Sequence, residues 1–180
     1  MFKQFCLRNF AIVIFIFNIS IVYAQDDKIF PVPGGNDNQL FYLQRTPNVN
    51  TIVYELNYKN GELDSKEPVH VFWIRYQEKG QRTELNYIQR SFAYGIKSKL
   101  LSKDFYELHI VSYKKRLLYL RKGANNKFYV YTIINNEQIM LDRIFLKING
   151  GSLWSPNIEY AELKGIDPAT GKEVVERLKI

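Results

Sequence analysis

The chain of 180 residues carries 25 Lys and Arg against 18 Asp and Glu, a net charge of +7, with two histidines and one cysteine. A single cysteine excludes an internal disulfide framework and any multi-cysteine metal site, and two histidines exclude a site built from several imidazoles. The moderate positive charge points to anionic glycans, lipid headgroups or acidic partners, and away from nucleic acid.

The leader comes first in chain order. Lys3 and Arg8 stand without an acid before the apolar run FAIVIFIFNISIV and the small residue Ala24. This order predicts a secretory signal peptide over 1–24. The run is broken by Asn18 and Ser20 and falls short of the ~20 residues of a membrane-spanning helix, so no transmembrane span is expected in the mature chain. Cys6 lies within the basic leader and not just after the cleavage point, so a lipid-anchored cysteine is not expected. Cleavage after Ala24 would leave 156 residues without cysteine and a net charge of +5. The expected location is periplasmic or extracellular, and the fold there must rely on an apolar core rich in the seven Phe and 12 Tyr that follow Ala24.

Residues 25–38 (QDDKIFPVPGGNDN), with two prolines and two glycines, read as a flexible N-terminal arm. A single β-rich domain is expected over 39–180. LFYLQR (40–45), TIVYELNY (51–58), VHVFWIRY (69–76), FYELHIVSY (105–113), RLLYLRK (116–122), KFYVYTII (127–134), IMLDRIFLKI (139–148), IEYAELKGI (158–166) and EVVERLKI (173–180) all read as strands. The turns between them are Asn60-Gly61, the Lys114-Lys115 pair, GANN, Asn135-Asn136, NGGSLWSPN and DPATGK. If Lys114-Lys115 is a two-residue turn, Glu107 faces Lys122 and His109 faces Leu120. TELNYIQRSFAYG (83–95) breaks the pattern, because Leu85, Ile88 and Phe92 recur at helical spacing, Thr83 can cap and Gly95 suits the end. The fold class is thus all-β (mainly), an antiparallel meander of about nine strands forming a barrel or curled sandwich, with one short amphipathic helix near 84–94. The closed barrel is preferred. An outer-membrane barrel is disfavoured, because LDRIFLK places Asp142 on one strand face and Arg143 and Lys147 on the other.

FYLQRTPNVNTIVYELN, PVHVFWIRY, GQRTELNYIQRSFAYG, YELHIVSY and NGGSLWSPNIEY together resemble a family of uncharacterised exported bacterial proteins grouped as a domain of unknown function. The resemblance rests on Arg45 with Asn48 and Asn50, Pro68 ahead of Trp73, Leu85-Asn86 and Tyr94-Gly95, and spans Phe30 to the C-terminus. It implies a single exported β domain and brings no activity with it.

No catalytic or cofactor motif is present: there is no G-x-S-x-G elbow, and the pairs Gly34-Gly35 and Gly150-Gly151 lack the strand, helix and lysine of a phosphate loop. No catalytic residue, metal ligand or cofactor is therefore expected. A Glu107-His109 or His70-His109 pair could act as base or ligand, but half-buried histidines satisfied within an aromatic sheet are the plainer expectation. Tyr129 and Tyr131 alternate with Phe128 and Val130, so both faces of that strand are amphipathic or apolar and one could line a cavity. Trp154, Tyr129, Tyr131, His109, His70 and Trp73 are the candidate ligand-binding residues. Trp154, on a glycine-rich loop, suits a ring that closes the end of the fold better than one that touches ligand. Lys114, Lys115, Arg116, Arg121 and Lys122 are the candidate contacts to an anionic surface, or else a solvated hairpin tip. Three functions follow as expectations: a non-enzymatic binding module for a small apolar or glycan ligand, an envelope structural or interaction protein using a basic rim to meet an anionic polymer or partner protein, and a His-dependent hydrolase.

Overall fold

The computed structural model describes residues 30–152 and 155–179. The expected signal peptide, the first part of the arm (25–29), Trp154 and Ile180 lie outside the described residues. The strands are β1 (Gln39–Arg45), β2 (Thr51–Leu56), β3 (Tyr58–Lys59), β4 (Glu62–Leu63), β5 (Val69–Arg75), β6 (Gln81–Glu84), β7 (Ile96–Ser102), β8 (Phe105–Ile110), β9 (Tyr113–Lys122), β10 (Phe128–Ile134), β11 (Glu137–Gly151), β12 (Pro156–Ile166) and β13 (Glu173–Lys179). One helical turn of π character, Gln89–Ala93, joins β6 to β7.

Eleven strands form one sheet in the order β6-β5-β2-β1-β11-β10-β9-β8-β7, with β12 also on β11 and β13 on β12. The 15-residue β11 organises it. Met140 pairs with both Tyr131 and Ile166, and Arg143 with both Tyr42 and Lys164. A strand has two edges, so β12 occupies one of them while β10 and then β1 share the other. The two limbs that hang from this shared edge fold onto one another. Phe41, Leu43, Ile52, Tyr54, Val71 and Trp73 of one limb and Tyr106, Leu108, Leu118, Leu120 and Val130 of the other belong to a single buried cluster, closed by Ile139, Leu141, Ile144 and Leu163.

The result is a curled sandwich and not the preferred closed barrel. Closure would require β6 to pair with β7, which are consecutive in the chain but lie at opposite ends of the strand order. Among the described strands the meander is antiparallel except at one place: β1 runs parallel to β11, with Leu43 against Ile144. That pairing joins residues about a hundred apart, beyond the reach of any hairpin signal.

Two local expectations are also corrected. The helix over 83–95 shrinks to the turn Gln89–Ala93, because Thr83 and Glu84 belong to β6 and pair with Trp73 and Phe72. Cross-strand pairing there overrides a weak helical preference. Leu85 is buried, but Ile88 and Phe92 stand exposed, so the apolar stripe does not cover the sheet. The turn between β8 and β9 falls at Val111-Ser112 and not at Lys114-Lys115. Glu107 therefore faces Tyr119 and Leu108 faces Leu118, while His109 sits at an irregularity in the ladder. A further strand, β7, forms an edge of the sheet, and its Lys97 and Lys99 suit an edge that must not pair with other chains.

The strong turn signals hold. Asn60-Gly61 closes β3 onto β4 with φ of 53° and 83°, and Asn135-Asn136 joins β10 to β11 with φ of 50° and 66°. The arm's described part, from Phe30, is tied along the outer face. The Phe30 ring meets Phe145 at 5.1 Å, and Gln44 Nε2 donates to the Pro31 carbonyl at 2.8 Å.

Asp142 occupies a break in the β11–β12 register, between the paired Leu141 and Arg143. Burial pushes its carboxyl above the usual range, Glu173 adds to this, and Lys164 and Arg143 oppose it. A carboxylate whose folded pKa is raised stabilises the fold only when protonated, so that contribution is lost as the pH rises through the folded value. Asp142→Asn is expected to raise the midpoint of urea unfolding at neutral pH, with the gain vanishing in acid below the ordinary aspartate range.

Candidate functional site

At the end of the sandwich where β1, the β8–β9 tip, β11 and β12 meet lies a cavity of about 470 Å³. Its floor is core: Leu43, Leu118, Ile144 and Leu163. Its walls are Ile148, Pro156, Ile158 and Leu178, with Phe92, Ala93 and Tyr94 of the helical turn over the mouth. The volume falls within the range of small-molecule sites, which are mostly apolar with a few placed polar groups. Those groups here are Arg45, Ser112, Tyr113, Arg116 and Ser155, and no carboxylate is among the described residues lining it.

The helical turn is positioned by three bonds from both limbs. Tyr54 Oη donates to the Tyr94 carbonyl at 3.0 Å, Ser112 Oγ to the Ala93 carbonyl at 2.6 Å, and the Val111 amide to the Gly95 carbonyl at 2.9 Å. Trp73 Nε1 donates to Gln89 Oε1 at 3.2 Å, and the Trp73 ring meets Tyr94 edge-on at 5.2 Å. Trp73 is thus buried in the core and supports the mouth from behind, without lining the cavity.

The two arginines differ. Arg116 is committed: it pairs with Glu176 at 3.4 Å and donates to the Ile133 carbonyl. Arg45 has no carboxylate within ion-pair distance among the described residues, and its buried Nε finds no hydrogen-bond partner. Its guanidinium carbon lies 5.9 Å from the ring centres of both Trp73 and Tyr94. Burial raises the pKa of the Tyr94 phenol, and the Arg45 charge opposes that rise.

The other expected residues lie elsewhere. Tyr129 and Tyr131 are on the face of β10 opposite the core residue Val130; Asn125 Nδ2 donates to Tyr129 Oη at 2.7 Å, and the Arg121 guanidinium sits 4.4 Å from the centre of the Tyr131 ring. His109 Nε2 lies 3.0 Å from Glu107 Oε1 and Nδ1 lies 3.3 Å from the Lys114 carbonyl, which brings the expected Glu107-His109 pair together on the outer face of β8. His70, on the outer face of β5, has Nε2 at 2.9 Å from Glu84 Oε2 and Nδ1 at 3.1 Å from Glu55 Oε1 and 2.9 Å from Arg82 Nη2. Burial pushes the Glu55 carboxyl upward, but the bonds from Arg82 and His70 outweigh it and hold the group below the ordinary range. Both ring nitrogens of each histidine are engaged, neither ring lines the cavity, and no hydrogen bond joins the two among the described residues. Among the described residues no group of three or more His, Cys, Asp or Glu is arranged to hold a metal ion.

Of the five expected basic contacts, Lys114 and Lys115 are exposed without an ion pair among the described residues, whereas Arg116 pairs with Glu176, Arg121 donates to Gln138 and Lys122 pairs with Asp104 at 2.9 Å. Arg45 was legible only as part of a resemblance. Yet it shares the strand parity of Phe41 and Leu43, and a charged residue at an inward position is a signal the sequence does carry. No helix among the described residues is long and apolar enough to cross a membrane.

A family profile for a domain of unknown function, DUF4833, matches residues 41–177. No curated protein and no solved structure matches the chain.

Proposed function

We propose that this chain, which belongs to the family DUF4833, is an exported, non-enzymatic binding module that holds a small apolar ligand in the end cavity. One observation carries this: a cavity of about 470 Å³ lined mostly by Leu, Ile and Pro, under a mouth that both limbs of the sandwich hold in place. An apolar ligand there would gain about 0.8 kcal/mol per buried methylene, and no polar floor group would be left unpaired. Export is supported by the basic, then apolar, then small-residue order of 1–24.

Thermal unfolding of the mature chain with dodecan-1-ol, alongside a neutral oligosaccharide panel, tests the reading. A ligand at a hundred times its Kd stabilises by about 2.7 kcal/mol, which is visible as a higher Tm. A rise with the alcohol and none with the sugars is expected. No rise with the alcohol, together with no apolar species in native mass spectra of protein purified from its source, would overturn the reading.

A second reading draws on the exposed Lys97 and Lys99 of β7 with Lys114 and Lys115 at the start of β9, none of them ion-paired among the described residues. They give a basic surface, from the β7 edge and the start of β9, that would meet an anionic envelope polymer. Such binding must weaken with added salt, because exposed charges are screened.

A further inference from the structure

We infer that the ligand of the end cavity is an amphiphile with a single carboxylate head, and that Arg45 receives that head. The inference rests on the reading of the cavity as an apolar-ligand site and specifies its chemistry. Arg45 lines a cavity whose other cation, Arg116, is already neutralised by Glu176. One positive charge with no counter-charge among the described residues, in a mostly apolar cavity, calls for one negative charge, since a desolvated ion without a counter-charge is costly. Flanking rings supply only part of that compensation: cation–π contacts contribute about 0.5–2 kcal/mol, and both Trp73 and Tyr94 stand at the far end of the effective distance.

The position of the charge is fixed by the strand that bears it. Arg45 is the last residue of β1, held in register against Leu146, and beyond it the Thr46 amide donates to the Leu146 carbonyl at 3.1 Å while Thr46 Oγ1 donates to the Ile148 carbonyl at 2.8 Å. The guanidinium is planar and pairs best with a carboxylate, which can accept two parallel N–H bonds. Beyond that contact, Leu146, Ile148 and Ile158 offer only hydrocarbon, which suits an unbranched alkyl tail and not a second polar group.

Calorimetric titration of the mature chain with dodecanoate, dodecan-1-ol and dodecyltrimethylammonium, each below its micelle concentration and with the acid ionised, tests this. A charge-assisted contact predicts that dodecanoate binds at least about tenfold more tightly than the alcohol, and the ammonium more weakly than either. Arg45→Gln is expected to bring dodecanoate down to the affinity of the alcohol while alcohol binding persists, and Arg116→Gln to keep the preference. Equal affinity of the wild-type chain for acid and alcohol would overturn the inference even if Arg45→Gln failed to fold. Transfer of the preference to Arg116 would overturn the assignment of Arg45. Absence of binding by all three probes would instead remove the apolar-ligand reading on which the inference stands.

Discussion

Replacing Phe41 with alanine lowers the free energy of unfolding by about 3–5 kcal/mol, the range for truncating a fully buried ring. Phe41 has no exposed surface and stacks on Tyr54, itself fully buried, with ring centres 4.2 Å apart and planes within 9°. The pair sits where β1 meets β2, at the centre of the cluster that binds the two limbs. A loss of that size is a large share of the about 5–15 kcal/mol that holds a typical domain together. Urea unfolding measures it, with Val175→Ala on the exposed face of β13 as the comparison, where a change within about 0.5 kcal/mol is expected. A Phe41→Ala loss below about 1 kcal/mol would mean that the two limbs do not share one core.

The second large effect is expected at Gly95. A Cβ there would stand 2.0 Å from the Arg90 carbonyl oxygen and 2.9 Å from its carbon, both backbone atoms of the helical turn. Neither can yield, because Ala93, Tyr94 and Gly95 are all tied by their carbonyls to the flanking limbs. Gly95→Ala should therefore cost about 3 kcal/mol, the upper part of the overpacking range. It should also lower affinity for dodecan-1-ol, since the displaced turn carries Phe92, Ala93 and Tyr94 of the cavity mouth. Gly35→Ala, where an added Cβ meets nothing within 4 Å, should change neither quantity. Denaturation and titration of both variants decide the point: an unaltered Gly95→Ala would show that the mouth is not held as tightly as its bonds imply.

What the sequence disclosed divides along physical lines. Strands with one face in the core were legible because alternation writes burial into the order of residues, as in β8, where Tyr106, Leu108 and Ile110 point inward. Turns that demand a left-handed backbone were equally plain, because Asn and Gly bear that conformation most easily, as at Asn60-Gly61 and Asn135-Asn136. By contrast, β7 was hidden, because only Ile96 and Ser98 of its seven residues are half-buried and its lysines obscure the period. Segment 83–95 misled because Leu85, Ile88 and Phe92 recur at helical spacing although only Leu85 is buried. The β1–β11 pairing leaves no local mark, and the cavity exists only because that pairing brings Arg45 beside Leu146. The site was therefore nearly invisible: of the six aromatic and histidine residues expected to bind ligand, none of the described five lines the cavity.

The long β11 also sets the order in which the chain can fold. The free edge of β1 must wait for residues 143–146, about a hundred positions downstream, before its carbonyls and amides find partners. Contacts that distant in sequence slow folding, because the closure of a large loop precedes the gain from pairing. Until β11 has been synthesised, a half-sheet of β1 to β6 would keep an unsatisfied inner edge and an uncovered apolar face. Stable packing of the two limbs on one another therefore waits for a strand that arrives late in synthesis.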